Sequence, residues 1–260
     1  MKAINIKNAT VELKGQKILD NLNFEIQSGE KYFILGANGA GKTTLVKLIL
    51  GYIWARIGAD VEILGKKYGN TDLAGVRKQI AWVSPFITQH LEYVSTGLDM
   101  VLSGLVGAYA MFRRETEEEM ELAKNLLEKL GALDLANKNV RDMSSGELIK
   151  ILIARAFISK PKLMILDEPT VYLDMAQREM FLNYVDNLIH QNPDLTVLFI
   201  SQRIEDILPI FSHGMILHEG KIKAQGTREE ILTSENLKEI FGLEMELVKS
   251  KNGRLWGIAK

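Results

Sequence analysis

The sequence contains no cysteine and no excess of charge of either sign. Without cysteine, disulfide bonds, thiolate metal sites and a cysteine nucleophile are excluded. Lysine and arginine total 32 against 33 aspartates and glutamates, which gives a formal net charge of −1. Because bulk electrostatic binding to nucleic acid needs a concentrated basic face, no nucleic-acid partner is expected.

Long apolar runs are also lacking. The uncharged stretch Met100–Phe112 has 13 residues and stops at Arg113 and Arg114, whereas a bilayer-spanning helix needs about 20. The N-terminal residues alternate between polar and apolar and contain no secretory core segment. With 47% apolar and 25% charged residues among 260, the chain suits one large α/β domain or two small ones. We therefore expect a globular chain that does not cross a membrane by itself.

Strand and helix patterns alternate along the chain and predict an α/β fold. The predicted strands are Ala3–Glu12, Ile18–Ile26, Tyr32–Leu35, Leu163–Leu166 and Thr196–Ile200, with a C-terminal hairpin of Glu246–Lys249 and Leu255–Ala259 around Asn252-Gly253. The predicted helices are Thr44–Leu50, a helix capped by Thr116 and Glu119 and ended by Gly131, and Ala176–His190. Because Ile87–Ser159 is mainly helical in character, we expect one α/β core with a helical insertion from about Pro85 to Lys160.

A glycine-rich segment lies between the predicted strand Tyr32–Leu35 and the helix that follows it. It fits the pattern G-x-x-x-x-G-K-[ST], in which glycines let consecutive N–H groups turn inward and the helix N-terminus adds partial positive charge. The candidate nucleotide-binding residues are Gly36, Ala37, Asn38, Gly39, Ala40, Gly41, Lys42, Thr43 and Thr44. Lys42 is the predicted catalytic contact to the β- and γ-phosphates, and Thr43 is a predicted Mg²⁺ ligand.

Two further segments carry candidate site residues. The apolar run Leu163–Leu166 ends in Asp167, a predicted Mg²⁺ ligand, and Glu168, a predicted catalytic residue that polarises the attacking water. Taken alone, these are equally well solvated carboxylates at a strand end. Ser144 and Glu147 have capping-box spacing before an apolar run, and by itself this pattern favours an ordinary helix start.

Together, in this order and spacing, these segments resemble the nucleotide-binding subunit of an ABC (ATP-binding cassette) ATPase. Gly36–Thr44 matches the Walker A motif, Met143–Glu147 the signature motif, Leu163–Glu168 the Walker B motif, and Leu173-Asp174 the D-loop. The resemblance implies a P-loop NTPase fold with an antiparallel β subdomain, a mixed core sheet and an inserted helical subdomain. We expect residues 1–84 and 161–260 to form the nucleotide-binding core and 85–160 the helical subdomain.

Within the family, the chain resembles the single-cassette importer ATPases of the iron-siderophore and molybdate type. The residues that carry this are Gly51–Trp54, Val101–Gly104 and Phe241–Leu243. The resemblance implies ATP and Mg²⁺ as cofactors and a head-to-tail pair of cassettes, either a homodimer or a pairing with a second cassette. Further candidate nucleotide contacts are then Ser144, Ser145, Gly146, Glu147 and Asp174. It also implies transmembrane permease subunits, a separate substrate-binding protein, and a peripheral position on the cytoplasmic face of the cell membrane.

The sequence departs from the family pattern at three positions. Lys14 stands where an aromatic residue would stack on adenine, which leaves aliphatic packing by a residue such as Ile18. Pro85 stands at the Q-loop glutamine, and Gln89 lies a few residues further on, out of register. Gln202 stands at the switch histidine; its amide can hydrogen-bond the γ-phosphate but carries no proton or charge at neutral pH. We therefore predict an ATPase with slow hydrolysis, in which Gln202 is the third candidate catalytic residue.

Three alternatives stay open. In the first, the chain is a regulatory nucleotide-binding subunit with little turnover. In the second, it is a soluble ABC protein that acts outside transport. In the third, it is a cassette in which Gln202 was introduced in place of a natural histidine. A single cassette without sustained heptads counts against the soluble proteins of translation and DNA repair. For Met100–Phe112, a buried helical insert and a docking patch for membrane subunits are both compatible with the sequence.

Overall fold

The computed structural model describes residues 1–85, 96–105 and 115–260. The chain divides into two compact units, one formed by Met1–Leu73 with Asp186–Lys260 and the other by Ala74–Val185. The subdivision expected from the sequence, with a helical subdomain at 85–160, stays a prediction.

The first unit contains two sheets and a C-terminal hairpin. Its strands are β1 (Lys2–Leu13), β2 (Gln16–Gln27), β3 (Lys31–Leu35), β4 (Asp60–Ile63), β5 (Lys66–Lys67), β8 (Thr196–Ser201), β9 (His213–His218), β10 (Lys221–Thr227), β11 (Met245–Lys249) and β12 (Leu255–Ala259). Its helices are α1 (Lys42–Ile49), α7 (Arg228–Ile231) and α8 (Ser234–Phe241). The order β2-β1-β4-β5 makes an antiparallel sheet.

The turn between β1 and β2 contains Lys14 and Gly15, both at positive φ (51° and 78°). Leu13 pairs with Gln16 across it. Positive φ at both central residues matches the right-handed twist of the strands, which is why glycine suits the second position. The position expected for an adenine-stacking aromatic is thus a tight, exposed hairpin turn.

Strand β3 lies between β8 and β9 and runs parallel to both, and β10 adds antiparallel to β9. In register, Leu35 pairs with Ser201 of β8 and with Ile216 of β9. Phe33, Ile34 and Phe199 are fully buried. Such continuous apolar runs are expected of parallel strands covered on both faces. The loops after β3 and β8 therefore leave the sheet at the same edge.

The second unit contains the parallel strands β6 (Ile80–Val83) and β7 (Leu163–Asp167) together with several of the described helices. The helices that lie within it are α3 (Gly97–Ser103), α4 (Glu117–Lys129) and α5 (Ser145–Phe157). Two more helices, α2 (Leu73–Arg77) and α6 (Met175–Gln191), begin or end across the unit boundary. Helices α3, α4 and α5 share an apolar cluster that includes Leu127 and Ile151.

The predicted Thr116–Glu119 capping box is confirmed, and Gly131 follows the helix at φ +56°. Met100, Val101 and Leu102 are buried in the apolar cluster, as the core interpretation of this stretch predicts. Residues 106–112 of that stretch, and Gln89, lie outside the described residues. Across the described ranges, no helix is long and apolar enough to cross a bilayer.

All five predicted strands and the C-terminal hairpin are confirmed, with ends that differ by at most two residues. Asp167 is the last residue of β7, so this carboxylate belongs to the strand itself. The sequence interpretation missed β4, β5, β6, the hairpin β9–β10 and the short helices α2, α7 and α8.

Candidate nucleotide-binding site

The glycine-rich loop leaves β3 and enters α1 through positions that admit no side chain. A Cβ on Gly36 would lie 2.3 Å from the carbonyl oxygen of Leu217 in β9. Gly41 has φ +101°, and a Cβ there would lie 2.8 Å from Cδ2 of Leu19. The loop is therefore pressed between β9 and the start of β2, and only glycine fits at both positions.

Lys42 places its ammonium group inside the loop. The side chain is only 6% exposed, and Nζ donates to the carbonyl oxygens of Gly36 (2.7 Å) and Ala37 (2.8 Å). The N-cap of α1 is Gly41, which offers no side-chain hydrogen bond to the first turn. A phosphate group at this position would pair with the buried cation and accept hydrogen bonds from the N–H groups of the first turn of α1, which have no side-chain cap.

Around this cation, the remaining loop residues differ in exposure. Ala40 is buried, and the side chains of Asn38 and Thr43 are exposed, with Thr44 half-buried. The exposed Thr43 hydroxyl is a hard oxygen donor of the kind Mg²⁺ prefers. The donor set of the loop therefore suits a magnesium-bound nucleotide.

Gln202 lies next to the glycine-rich loop (residues 36–43, the phosphate loop). It follows Ser201, the last residue of β8, and the carbonyl oxygen of Ser201 accepts a 3.3 Å hydrogen bond from the N–H of Gly36. Because β3 and β8 are parallel and in register, the two strands end side by side, and the segments that follow them leave the sheet at this hydrogen bond. The structure thus brings Gln202 and Gly36 together within the first unit.

Asp167 and Glu168 end strand β7 in the second unit. Asp167 is 1% exposed and Glu168 8%. Glu168 has φ +51°, a conformation that is rare for residues other than glycine. The chain then turns, with the N–H of Val171 donating to the carbonyl oxygen of Glu168 (3.3 Å). Asp167 therefore ends the strand, and Glu168 directly after it occupies a strained turn.

The signature segment forms the N-terminus of α5, and the capping box expected there is present. Ser144 Oγ accepts from the N–H of Glu147 (3.3 Å), and the Glu147 carboxylate accepts from the N–H of Ser144 (2.7 Å). Lys138 Nζ donates to both oxygens of that carboxylate (2.8 and 2.9 Å). The hydrogen bond from Lys138, and next that from Ser144, lower the pKa of Glu147 to about 2. Glu147 is therefore an anion that stabilises the N-terminus of α5, and Ser144 and Ser145 are exposed beside it.

Gly146 contacts helix α6 through Gln177. A Cβ on Gly146 would lie 3.2 Å from Cδ and Nε2 of Gln177. The N–H of Gln177 in turn donates to the Asp174 carboxylate (2.8 Å), which caps the start of α6. The structure therefore brings the signature segment and the D-loop residue Asp174 together. Beside them lies a groove of about 360 Å³ whose lining includes Gln177, Met180 and Tyr184.

Pro85, at the expected Q-loop position, lies in a smaller crevice of about 180 Å³. Ser145 and Tyr172 line the same crevice. A proline ring offers neither a donor nor an amide oxygen, so this position supplies no side-chain contact to metal or water.

Sequence reasoning missed Lys138 and Gln177. No motif marks either residue, since each acts through a neighbour on another element. The nearest signal was the capping-box pattern itself, whose glutamate is the residue that Lys138 binds.

Residues 19–171 match the family model described as ABC transporter. The molybdate import ATP-binding protein MolC of Haemophilus influenzae is 31% identical to this chain, and the alignment covers 94% of this chain and 90% of MolC. The manganese transport system ATP-binding protein MntB of Bacillus subtilis is 29% identical, over 96% of this chain and 97% of its own. The solved ADP conformation of MJ1267, an ATP-binding cassette of an ABC transporter, has a TM-score of 0.78 at 26% identity. That alignment covers 93% of this chain and 98% of MJ1267.

Proposed function

This chain belongs to the ABC transporter family of ATP-binding subunits, and on that premise we propose that it binds and slowly hydrolyses magnesium-ATP to power a transporter. The active form is a head-to-tail dimer, either with a second copy or with another cassette. The observation that carries the proposal is the phosphate loop, where the buried Lys42 ammonium lies inside a glycine cradle at the start of α1.

In the binding step, Lys42 and the first-turn N–H groups of α1 hold the β- and γ-phosphates. Thr43 and Asp167 are the residues that would hold Mg²⁺, which neutralises charge on the phosphates when bound. The Ser144 hydroxyl and the N-terminus of α5 contact the γ-phosphate bound by the partner cassette. Asp174 fixes the start of α6 next to that signature helix.

In the chemical step, a water oxygen attacks the γ-phosphorus and the bond to the β–γ bridging oxygen breaks. Glu168 accepts the proton of the attacking water, and the products are ADP and inorganic phosphate. The Gln202 amide donates a hydrogen bond to a γ-phosphate oxygen. Because an amide carries no positive charge, we expect turnover about 10²–10³-fold below that of a histidine at this position.

The membrane partners follow from the family role. We propose that transmembrane permease subunits bind the cassette at the cytoplasmic membrane surface and that a separate binding protein delivers the substrate. The relatives named for molybdate import and manganese transport support uptake of a metal ion or oxyanion. Specificity itself resides in those other subunits.

One alternative is favoured by particular residues. With Lys14 in a tight turn, Pro85 at the Q-loop and Gln202 at the switch, the chain lacks the family's side-chain contacts to the base, to the metal and water, and to the γ-phosphate. A regulatory subunit that binds ATP and dimerises with little turnover would tolerate all three.

The test compares nucleotide binding, dimerisation and phosphate release in three variants. We expect Lys42→Ala to lose ATP binding, whereas Lys47→Ala, an exposed lysine on the same helix, retains it. Glu168→Gln should bind ATP normally, accumulate the dimer on size-exclusion chromatography and release phosphate at least about 100-fold more slowly. Normal binding by Lys42→Ala would overturn the proposal. Wild-type turnover no faster than that of Glu168→Gln would establish the regulatory alternative.

A further inference from the structure

The segment that follows Gln202 is held together by its own hydrogen bonds. Ser201 Oγ donates to the Asp206 carboxylate (3.1 Å) and accepts from the N–H of Arg203 (3.0 Å). The N–H of Asp206 donates to the carbonyl oxygen of Arg203 (3.3 Å), which closes a 3-10 turn over Ile204–Asp206. Local bonds therefore fix the shape of this switch segment, residues 202–206.

A contact from outside fixes the segment in place. Arg254 directly precedes β12 and is only 5% exposed. Its Nη2 and Nε atoms both donate to the carbonyl oxygen of Glu205, at 2.6 and 3.1 Å. The guanidinium carbon also lies 5.3 Å from the centroid of the Trp256 ring, within cation–π range. A planar donor fork on one backbone carbonyl restrains both position and direction more than a single ammonium would.

Arg254 is itself positioned by the turn of the C-terminal hairpin. Its carbonyl oxygen accepts from the N–H (2.8 Å) and Oγ (2.9 Å) of Ser250. The neighbouring carbonyl of Gly253 accepts from Nη2 of Arg228 (3.0 Å), a residue of α7 that is 4% exposed. Two buried arginines thus connect α7, the hairpin turn and the switch segment, all within the first unit.

We propose that Arg254 is a positioning residue for Gln202: through the Glu205 carbonyl it holds the switch segment so that the Gln202 amide meets the γ-phosphate. This inference rests on the role proposed for Gln202 in hydrolysis. Arg254 contacts the backbone three residues from Gln202 and therefore acts through the segment, not on the reacting atoms. A displacement of about 1 Å at a reacting group costs up to about 100-fold in rate, so a loosened segment lowers turnover.

The first experiment measures kcat and KM for ATP hydrolysis in the full chain. We expect Arg254→Ala to lower kcat about 10-fold or more with KM for ATP within about 2-fold of wild type. The kcat of Arg254→Lys, which retains the charge but not the donor fork, should lie between that of Arg254→Ala and that of wild type. Lys251→Ala, an exposed residue of the same turn, is the control and should match wild type. If Arg254→Ala does not fold, the comparison of Arg254→Lys and Arg254→Gln with Lys251→Ala decides the question by the same kcat criterion.

A second experiment separates positioning from a general loss of structure. In a Gln202→Ala background, Arg254→Ala should lower kcat by less than about 2-fold, because the contact it positions is already gone. Equal effects of Arg254→Ala with and without Gln202 would overturn the inference. If Gln202→Ala alone leaves turnover unchanged, the role proposed for Gln202 fails and the inference falls with it. If Gln202→Ala lowers turnover but Arg254→Ala does not, the inference alone is refuted.

Discussion

Replacing Gly146 by alanine is expected to separate the proposed catalytic role of the signature segment from its role in folding. Gly146 is the second residue of α5 and its φ is not positive, so the backbone accepts alanine. Its new Cβ would meet Gln177 at 3.2 Å, which requires Gln177 to yield by a few tenths of an ångström. The contacted atoms are the far end of a flexible side chain that borders a groove of about 360 Å³, so there is room for the shift.

The change in the free energy of unfolding should therefore be small. Alanine in a helix is favoured over glycine by up to about 1 kcal/mol, and modest crowding offsets part of that gain. We expect a net change within about 1 kcal/mol, or about 2–4 °C in Tm for a chain of this size. Gly104→Ala is the contrasting control, because its Cβ would lie 2.1 Å from the backbone oxygen of Arg155. It should cost about 1–3 kcal/mol.

ATP turnover should respond much more strongly. In the proposed head-to-tail dimer, the added methyl group separates the N-terminus of α5 from the partner's γ-phosphate, with an expected loss of about 10²–10³-fold in kcat. Thermal unfolding gives the change in stability and phosphate release gives the change in kcat, and both are measured on the same preparation. The double variant Gly146→Ala with Gln177→Ala removes the crowding and should not restore turnover. Turnover above half of wild type in Gly146→Ala would refute the assigned role of this segment.

Two further predictions concern Gln202 and Glu147. Gln202→His should raise steady-state phosphate release about 10²–10³-fold, and an unchanged rate would show that the switch reasoning is wrong. The pKa of Glu147 is lowered from 4.5 to about 2 in the folded chain, so its contribution to stability is complete above pH 4.5 and declines as the pH falls toward 2. Glu147→Gln should accordingly lower Tm at pH 7, and the gap to wild type should narrow between pH 4.5 and 3; a constant gap would contradict the Lys138 pairing.

The sequence predicted those parts of the fold whose signals are local. The Thr116 and Ser144 capping boxes and the Asn252-Gly253 hairpin were found because each depends on residues within a few positions. Strand β9 was missed because His213–His218 is a short apolar run without alternation, and its place comes from pairing with β3. Strand β10 alternates, but its place comes from pairing with β9.

The same limit applies to the site. Lys42 and Asp167 stand in motifs with fixed spacing, so their elements could be assigned from the sequence. Arg254 lies 49 positions from the carbonyl it binds, and no pattern in the sequence marks that separation. Contacts of this kind depend on tertiary packing, and the residues near each partner in the sequence give no sign of them.

The left-handed backbone of Glu168 has a consequence for how this chain can change under selection. An L-residue pays about 1–2 kcal/mol to occupy that region, a cost that glycine avoids. A screen of variants for heat resistance alone should therefore enrich Glu168→Gly, while a screen that demands turnover should reject it. At this position thermal stability favours glycine and the proposed chemistry favours glutamate, so a library sorted under both pressures would identify the proposed catalytic turn without any structure.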